Sequence, residues 1–303
     1  MSGTKVEVEV VRVVDGDTVR VDNGTDEESL RILALDTEES NAGGSKPVTP
    51  WGRAASDRAK EVFSPGDRVS VEFPGNEPAQ VCWQKYRGNF GRALVYIYDK
   101  DDRNFQEIMI REGFSPYFMK YGYAHFPAHH ARYQAAEREA QIAHRGLWDQ
   151  HAVNQAEMRN YARLGLWWDL RARIIEGYRA FKAAHPDAEL FNSRLDYARL
   201  VELAEAEAHG VVFTELRDLR RIGGDNGLIG IGSEDQPFKV FLPDLDQPAG
   251  QAVVHLLENR YLSGDDQHPR RGYAYVQGPM KMFRDRPELV VARPEQISDQ
   301  PPD

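Results

Sequence analysis

Val13-Val14-Asp15-Gly16-Asp17-Thr18-Val19-Arg20-Val21 sets two carboxylates around a glycine between short β-branched runs. β-Branched residues suit a pleated, half-buried surface, and Asp and Gly supply the conformations a tight turn requires. The stretch therefore reads as a strand, an acidic turn and a second strand. Either aspartate alone would be a turn residue and no more. Two later segments extend the reading: Leu30-Arg31-Ile32-Leu33-Ala34-Leu35-Asp36-Thr37-Glu38-Glu39, and Asn89-Phe90-Gly91-Arg92-Ala93-Leu94.

Together these segments hold the parts that phosphodiester chemistry needs. A hard divalent cation takes oxygen ligands, and acids at two strand ends supply them if a sheet brings the ends together; Asp17 and Asp36 are the candidates. Charge developing on a phosphate calls for cations aimed at its oxygens, and arginine offers a planar fork of donors that stays charged. Arg31 and Arg92 fit that role. A carboxylate close to the cation can direct the attacking water, and Glu39 is placed for it.

In residue type and order the three segments strongly resemble the staphylococcal nuclease (thermonuclease) family. The resemblance covers about the first half of the chain. It implies a five-stranded Greek-key barrel of the OB type. It also implies Ca2+ held by Asp17, Asp36 and the Thr37 carbonyl, with Mg2+ or Mn2+ as other divalent ions of the same class. Glu39 is then the water-directing base, and Arg31 and Arg92 clamp the phosphate. Tyr117 and Tyr121 stand as counterparts of two substrate-facing tyrosines. The chain departs from the family pattern twice. Glu38 stands where the family has a proline, adding a carboxylate beside the cation, and Asn89-Phe90 replace a basic residue and a tyrosine, leaving Phe90 as the substrate-facing ring.

Composition sets the frame. With 303 residues, two domains are expected. Hydrophobic content of 41% and charged content of 28% are ordinary for a globular chain. No apolar run approaches the ~20 residues of a membrane span, so no membrane partner is expected. The N-terminus passes into an alternating strand without a leader pattern, which points to the cytoplasm. Cys82 is the single cysteine, which excludes an intramolecular disulfide, and it reads as a small buried strand residue. A net charge of −10 is unusual for a protein acting on polyanions, so substrate capture is expected to rely on local basic patches and the metal.

The expected organisation is mainly β with α: a nuclease-like OB barrel over 1–150, a helical connector over 151–209, an OB-like barrel over 210–297 and a disordered tail over 298–303. In the first part, strands are expected near 5–14, 17–23, 28–36, 69–73 and 92–98. Helices are expected over Gly52–Phe63, from an Asn104/Glu107 capping box to Gly113, and over Ala128–Ala143. Ser40–Pro50, rich in Gly, Pro and Ser, reads as a loop beside the site. Two amphipathic stripes follow, Trp167/Leu170/Ile174/Tyr178/Phe181 and Tyr197/Leu200/Val201/Ala204/Ala208. In the C-terminal part, Phe238, Phe241, Tyr273, Tyr275 and Phe283, with Lys239, Lys281, Arg284 and Arg286, would form a stacking surface for single strands, the alternative being that the rings fill the core. Tyr273 and Tyr275 share one strand face, so both are in or both are out.

The function expected is a calcium-dependent nuclease acting on DNA and RNA, favouring single strands and leaving 3′-phosphate and 5′-hydroxyl ends. Its rivals are a non-catalytic nucleic-acid-binding scaffold, like the Tudor-containing relatives that lose these side chains, and a nuclease whose second barrel docks a protein.

Overall fold

The computed structural model describes residues 2–41, 48–149, 159–262 and 270–301. The chain separates into two compact units, one of residues 1–88 and 92–168, the other of 89–91 and 169–303.

In the first unit, β1 (Lys5–Asp15), β2 (Thr18–Asp22), β3 (Glu27–Ile32), β4 (Arg68–Glu72) and β5 (Ala93–Tyr98) close a barrel in the order β1-β2-β3-β5-β4. Closure is possible because β1 is long enough to pair twice: Lys5–Glu9 with β4, and Glu9–Asp15 with β2 across two register shifts. Such shifts bend a strand, as a barrel wall requires. Alternation along the strands sends Val8, Val10, Val19, Val21, Leu30, Ile32, Val71 and Val95 into one core.

Around the barrel lie α1 (Pro50–Val62), α2 (Ala79–Lys85), α3 (Phe105–Arg111) and α4 (Pro127–Ile142). Thr49 caps α1 by accepting from the Gly52 N–H, with Pro50 at the first turn. Asn104 caps α3 by accepting from Glu107 N–H at 2.9 Å. Only that half of the expected box is made, because the Glu107 carboxylate turns to Arg111 at 2.6 Å instead. Cys82 is buried, but on a helix: α2 follows Pro78 as its N-cap and packs Trp83 edge-on against Phe73 at 4.8 Å. The expected strand through residue 36 stops at Ile32, because Ala34 takes a left-handed φ of 64°. That conformation costs an L-residue about 1 kcal/mol, and here it turns the chain so that Asp36 leaves the sheet direction.

The second unit holds β6 (Phe191–Asn192), β7 (His209–Glu215), β8 (Leu219–Ile222), β9 (Asn226–Gly230), β10 (Lys239–Leu242), β11 (Tyr273–Phe283), β12 (Arg286–Val290) and β13 (Ile297–Ser298) in one sheet, ordered β6-β7-β11-β12-β10-β9-β8, with β13 on β11. The sheet is not closed by hydrogen bonding among the described residues. Its path nevertheless repeats that of the first unit. β7 and β8 are consecutive, separated by Leu216–Asp218, and pair with β11 and β9 as the two halves of β1 pair with β4 and β2. β10 and β12 are parallel, as β3 and β5 are. The sheet is thus OB-like with its first strand broken. A helix, α7 (Pro248–Leu256), lies between the third and fourth strands of this order, and α6 (Tyr197–Glu205) buries Leu200 and Ala204 against the sheet's core.

The boundary between the units falls inside α5 (Tyr161–Ala184). The expected stripe on this helix is displaced in its first half: Tyr161, Leu164, Trp168 and Ala172 are buried, while Leu170 is exposed. In the second half Ile174 and Tyr178 are buried as expected, Tyr178 stacking on Phe213 at 4.4 Å and 4°. The C-terminal segment is a correction to the expected disordered tail. Ser298 pairs with Tyr275 in the sheet, and Asp299 accepts from Tyr261 at 2.6 Å and pairs with Arg271 at 3.1 Å. The final residues 302–303 lie outside the described residues.

Candidate active site

The first unit gathers its charged side chains where three pieces of barrel meet: the β1–β2 turn, the end of β3 and the start of β5. Arg31, near the end of β3, is 8% exposed and bridges two acids. Its Nη1 is 3.0 Å from Asp17 Oδ2 and its Nη2 is 3.0 Å from Asp36 Oδ1. Burial works against the guanidinium charge, but the two aspartates win and hold Arg31 above its ordinary pKa. The Thr37 N–H donates to Asp17 Oδ2 at 3.2 Å, tying the β1–β2 turn to the segment after β3. The Asp36 N–H donates to Ser115 Oγ at 3.0 Å.

Arg92 immediately precedes β5, which runs parallel to β3, and its Nη1 donates to Thr18 Oγ1 at 3.1 Å. Thr18 in turn donates to Asp17 Oδ1 at 3.0 Å. Burial and then the neighbouring Arg31 charge push Arg92 below its ordinary pKa, against the pull of Asp17, Tyr121 and Glu39. An arginine disfavoured in this way gains from the arrival of an anion. Glu39 is therefore within electrostatic reach of Arg92. Its backbone is fixed by α1: the Glu39 carbonyl accepts from Thr49 N–H at 3.2 Å, and a Cβ on Gly52 would stand 2.0 Å from that oxygen. Only glycine allows the approach. Burial, and then the Asp17 charge, raise the pKa of Asp15 at the same turn.

The structure thus brings Asp17, Arg31, Asp36, Thr37, Glu39 and Arg92 into one region. Tyr121 is half-buried, its ring edge-on to Phe118 at 5.6 Å and within electrostatic reach of Arg31 and Arg92. Phe90 is 64% exposed. Tyr117 is buried, its hydroxyl accepting from Ala124 N–H at 2.7 Å and lying 2.9 Å from His130 Nδ1, so no face of the ring is open to a substrate. Tyr273 and Tyr275 are likewise both inside, packed with Phe213, Ile174 and Tyr178. These three rings serve packing. Phe283 is 48% exposed, beside Arg284 at 5.3 Å, and Lys281 lies 4.8 Å from the partly exposed Phe241 ring.

Two residues of the site were not foreseen. Arg159 donates from Nε to Glu38 Oε1 at 2.8 Å, from Nη1 to Asp36 Oδ2, and from Nη2 to the carbonyls of Asp36 at 3.0 Å and Thr37 at 3.3 Å. Tyr161 donates to Glu38 Oε1 as well. The one signal in the sequence was Glu38 itself, an additional acid that needs a partner when buried. The expected loop over Ser40–Pro50 falls largely on residues 42–47, outside the described residues.

The donors available to a cation are all oxygens, which suits a hard divalent ion. Among the described residues no three Asp, Glu, His or Cys side chains alone converge on a metal position, so a site would draw on the Thr37 carbonyl. Glu38 is 1% exposed, and while Arg159 and Tyr161 engage its Oε1, its Oε2 has no hydrogen-bond partner among the described residues, a buried carboxylate oxygen with acceptor capacity to spare. The residues fit a cation.

Similarity to known proteins falls in the first half of the chain. Residues 29–150 match the family described as staphylococcal nuclease homologue. These residues form a staphylococcal nuclease-like domain. The chain is 30% identical over 146 residues to the SPbeta prophage-derived endonuclease YokF of Bacillus subtilis (strain 168), covering 48% of this chain and 45% of that protein. It is 29% identical over 142 residues to the thermonuclease of Staphylococcus hyicus, covering 46% of this chain and 73% of that protein. With the endonuclease YncB of Bacillus subtilis (strain 168) it shares 29% over 143 residues, covering 47% and 62%. The chain thus spans less than half of YokF's length. No helix among the described residues is long and apolar enough to cross a membrane.

Proposed function

We propose that the nuclease-like domain hydrolyses phosphodiester bonds of DNA and RNA with the help of a divalent cation, Ca2+ first among them, leaving 3′-phosphate and 5′-hydroxyl ends. The observation that carries this reading is the buried Asp17–Arg31–Asp36 bridge, with Arg92 joined to it through Thr18. Two guanidinium groups and two acids held together by these contacts are a preorganised receptor for a phosphate, and preorganised charge is what stabilises such a transition state.

Asp17, Asp36 and the Thr37 carbonyl would hold the cation, which when bound supplies positive charge to the phosphate and to the attacking water. Arg31 and Arg92 donate to the non-bridging oxygens as negative charge grows on them. Arg92, held below its ordinary pKa by burial and then by the Arg31 charge, gains from the arriving anion. Glu39 accepts a proton from water as the water oxygen attacks phosphorus; the bond to the 5′-oxygen breaks, that oxygen takes a proton from solvent, and Glu39 returns its own proton to solvent. Tyr121, within electrostatic reach of Arg31 and Arg92, is the ring that would bear on a base or sugar. In the second unit, Phe283 and Phe241 with their neighbouring cations are the stacking surface, in place of the packed Tyr273 and Tyr275. Single-strand preference now rests on these partly exposed rings.

The test is cleavage of labelled single- and double-stranded DNA and RNA with Ca2+, Mg2+, Mn2+ or a chelator, with analysis of the product ends. Metal-dependent cleavage lost in Glu39→Gln supports the proposal. Binding without cleavage under every condition would favour the non-catalytic scaffold.

A further inference from the structure

Arg159 lies outside the matched domain region, yet its side chain is 9% exposed and seated in the acid cluster. It takes Asp36 Oδ2 and the Thr37 carbonyl, two of the oxygens assigned above to the cation. Glu38 and Tyr161 build its seat. Nε donates to Glu38 Oε1 at 2.8 Å, the Tyr161 hydroxyl accepts from Nη2 at 3.1 Å, and the Tyr161 ring lies 5.2 Å from Cζ. A guanidinium and a divalent ion compete for those oxygens, because two cations drawn to the same acceptors repel each other at that range.

We propose that Arg159 is a resident cation of this site, which a divalent metal must displace in order to bind, and that Glu38 holds it there. The proposal rests on the metal-site reading above. Arg159 neutralises the acids while no metal is bound and sets the concentration at which the site loads. Glu38 takes part because it is an acid that the resident guanidinium engages through Nε, apart from the atoms it places on Asp36 and Thr37.

The intact 303-residue chain tests this by calcium titration calorimetry, without any activity measurement. Arg159→Gln is expected to bind calcium about tenfold or more tightly, since charge-assisted hydrogen bonds no longer compete for the oxygens. The double variant Arg159→Gln/Glu38→Gln separates competition from simple charge. It leaves the net charge of the cluster as in the wild type, so electrostatics alone predicts unchanged affinity, whereas displacement predicts tighter binding. Should the variants fold poorly, the wild type suffices: adding calcium should speed amide exchange in the peptide spanning 159–164. Calcium affinity that is unchanged or weaker in the double variant, whatever the single variant shows, with binding still dependent on Asp36, overturns this inference alone. So does unchanged or slowed exchange at 159–164 on calcium binding. Absence of calcium binding from the wild type and both variants overturns it together with the metal-site reading.

Discussion

Arg31→Ala separates the structural from the chemical work of the central guanidinium. Arg31 makes two ion pairs of 3.0 Å, to Asp17 and Asp36, with about a tenth of its own side chain exposed. Removing one partner of a buried ion pair costs about 3–5 kcal/mol, because it strands the other charge. Here Arg159 still engages Asp36 and the Thr37 N–H still donates to Asp17, so the expected loss is about 2–4 kcal/mol. In a domain of this size that lowers Tm by roughly 5–15 °C. Arg31→Lys should recover part of the stability but not the two-pronged geometry. The assay is urea denaturation with chelator present, combined in a double-mutant cycle with Asp17→Asn. A coupling of about 1–3 kcal/mol is expected between the two positions. Turnover on a labelled oligonucleotide, measured where every variant is folded, should fall by about 10²–10³. An Arg31→Ala protein within about 0.5 kcal/mol of wild type, with additive effects in the cycle, would refute the bridge as the organiser of the site.

Glu39→Gln should lower kcat by about 10²–10³ while calcium affinity stays near wild type, since Glu39 acts on water; calorimetry beside single-turnover kinetics checks it, and a parallel loss of calcium binding would make Glu39 a ligand instead. Phe283→Ala in a Glu39→Gln background should weaken binding to oligonucleotides by ~1–3 kcal/mol at unchanged Tm, and equal affinities would remove the second unit's stacking surface. Burial pushes Glu137 up to about 7 against the hydrogen bond from Tyr117 N–H. A carboxyl whose folded pKa is raised contributes full stability below its unfolded pKa and loses it as pH rises through the folded value. Stability should therefore fall by about 1–3 kcal/mol between pH 4.5 and 8, allowing for the group's partial exposure, and Glu137→Gln should abolish that slope in Tm against pH.

What could be read from the chain was what depends on local pattern. Alternation placed the barrel strands, because each β-branched inward position is fixed by the pleat, and the acids and arginines of the site stand out beside those strands by residue type and order. The end of β3 was misjudged because nothing in Leu33-Ala34-Leu35 announces a left-handed alanine; that conformation is imposed by tertiary contacts such as the Phe118 N–H donating to Ala34 O at 2.9 Å. Helix α2 was missed since its seven residues carry no amphipathic repeat long enough to show. Tyr273 and Tyr275 were correctly paired on one face, but which face is inside depends on α5 packing over them, a contact across about a hundred residues. Arg159 was invisible for the same reason: a lone arginine in sequence has no spacing to betray the acids it will meet.

The two units share one strand order, and comparing corresponding corners explains why chemistry is expected from only the first. In unit 1 the turn after the first strand carries Asp17, the exit of the third strand carries Asp36, and Arg31 near the end of that third strand joins them. In unit 2 the equivalent turn carries Asp225 and the exit of the third strand carries Asp244, so the acids recur. Both are exposed, with left-handed φ of 55° and 50°, and their backbones close the turns: Leu245 N–H donates to Asp225 O at 2.6 Å, and Asp244 N–H to Asn226 Oδ1 at 3.2 Å. Phe241 stands where a bridging arginine would have to be, next to last in β10 as Arg31 is in β3. Without a guanidinium to pull two carboxylates together, like charges stay apart in solvent and no receptor for a phosphate forms. The same corners thus yield turn chemistry in one sheet and a buried, ion-paired cluster in the other, and the deciding element is one buried cation on the third strand.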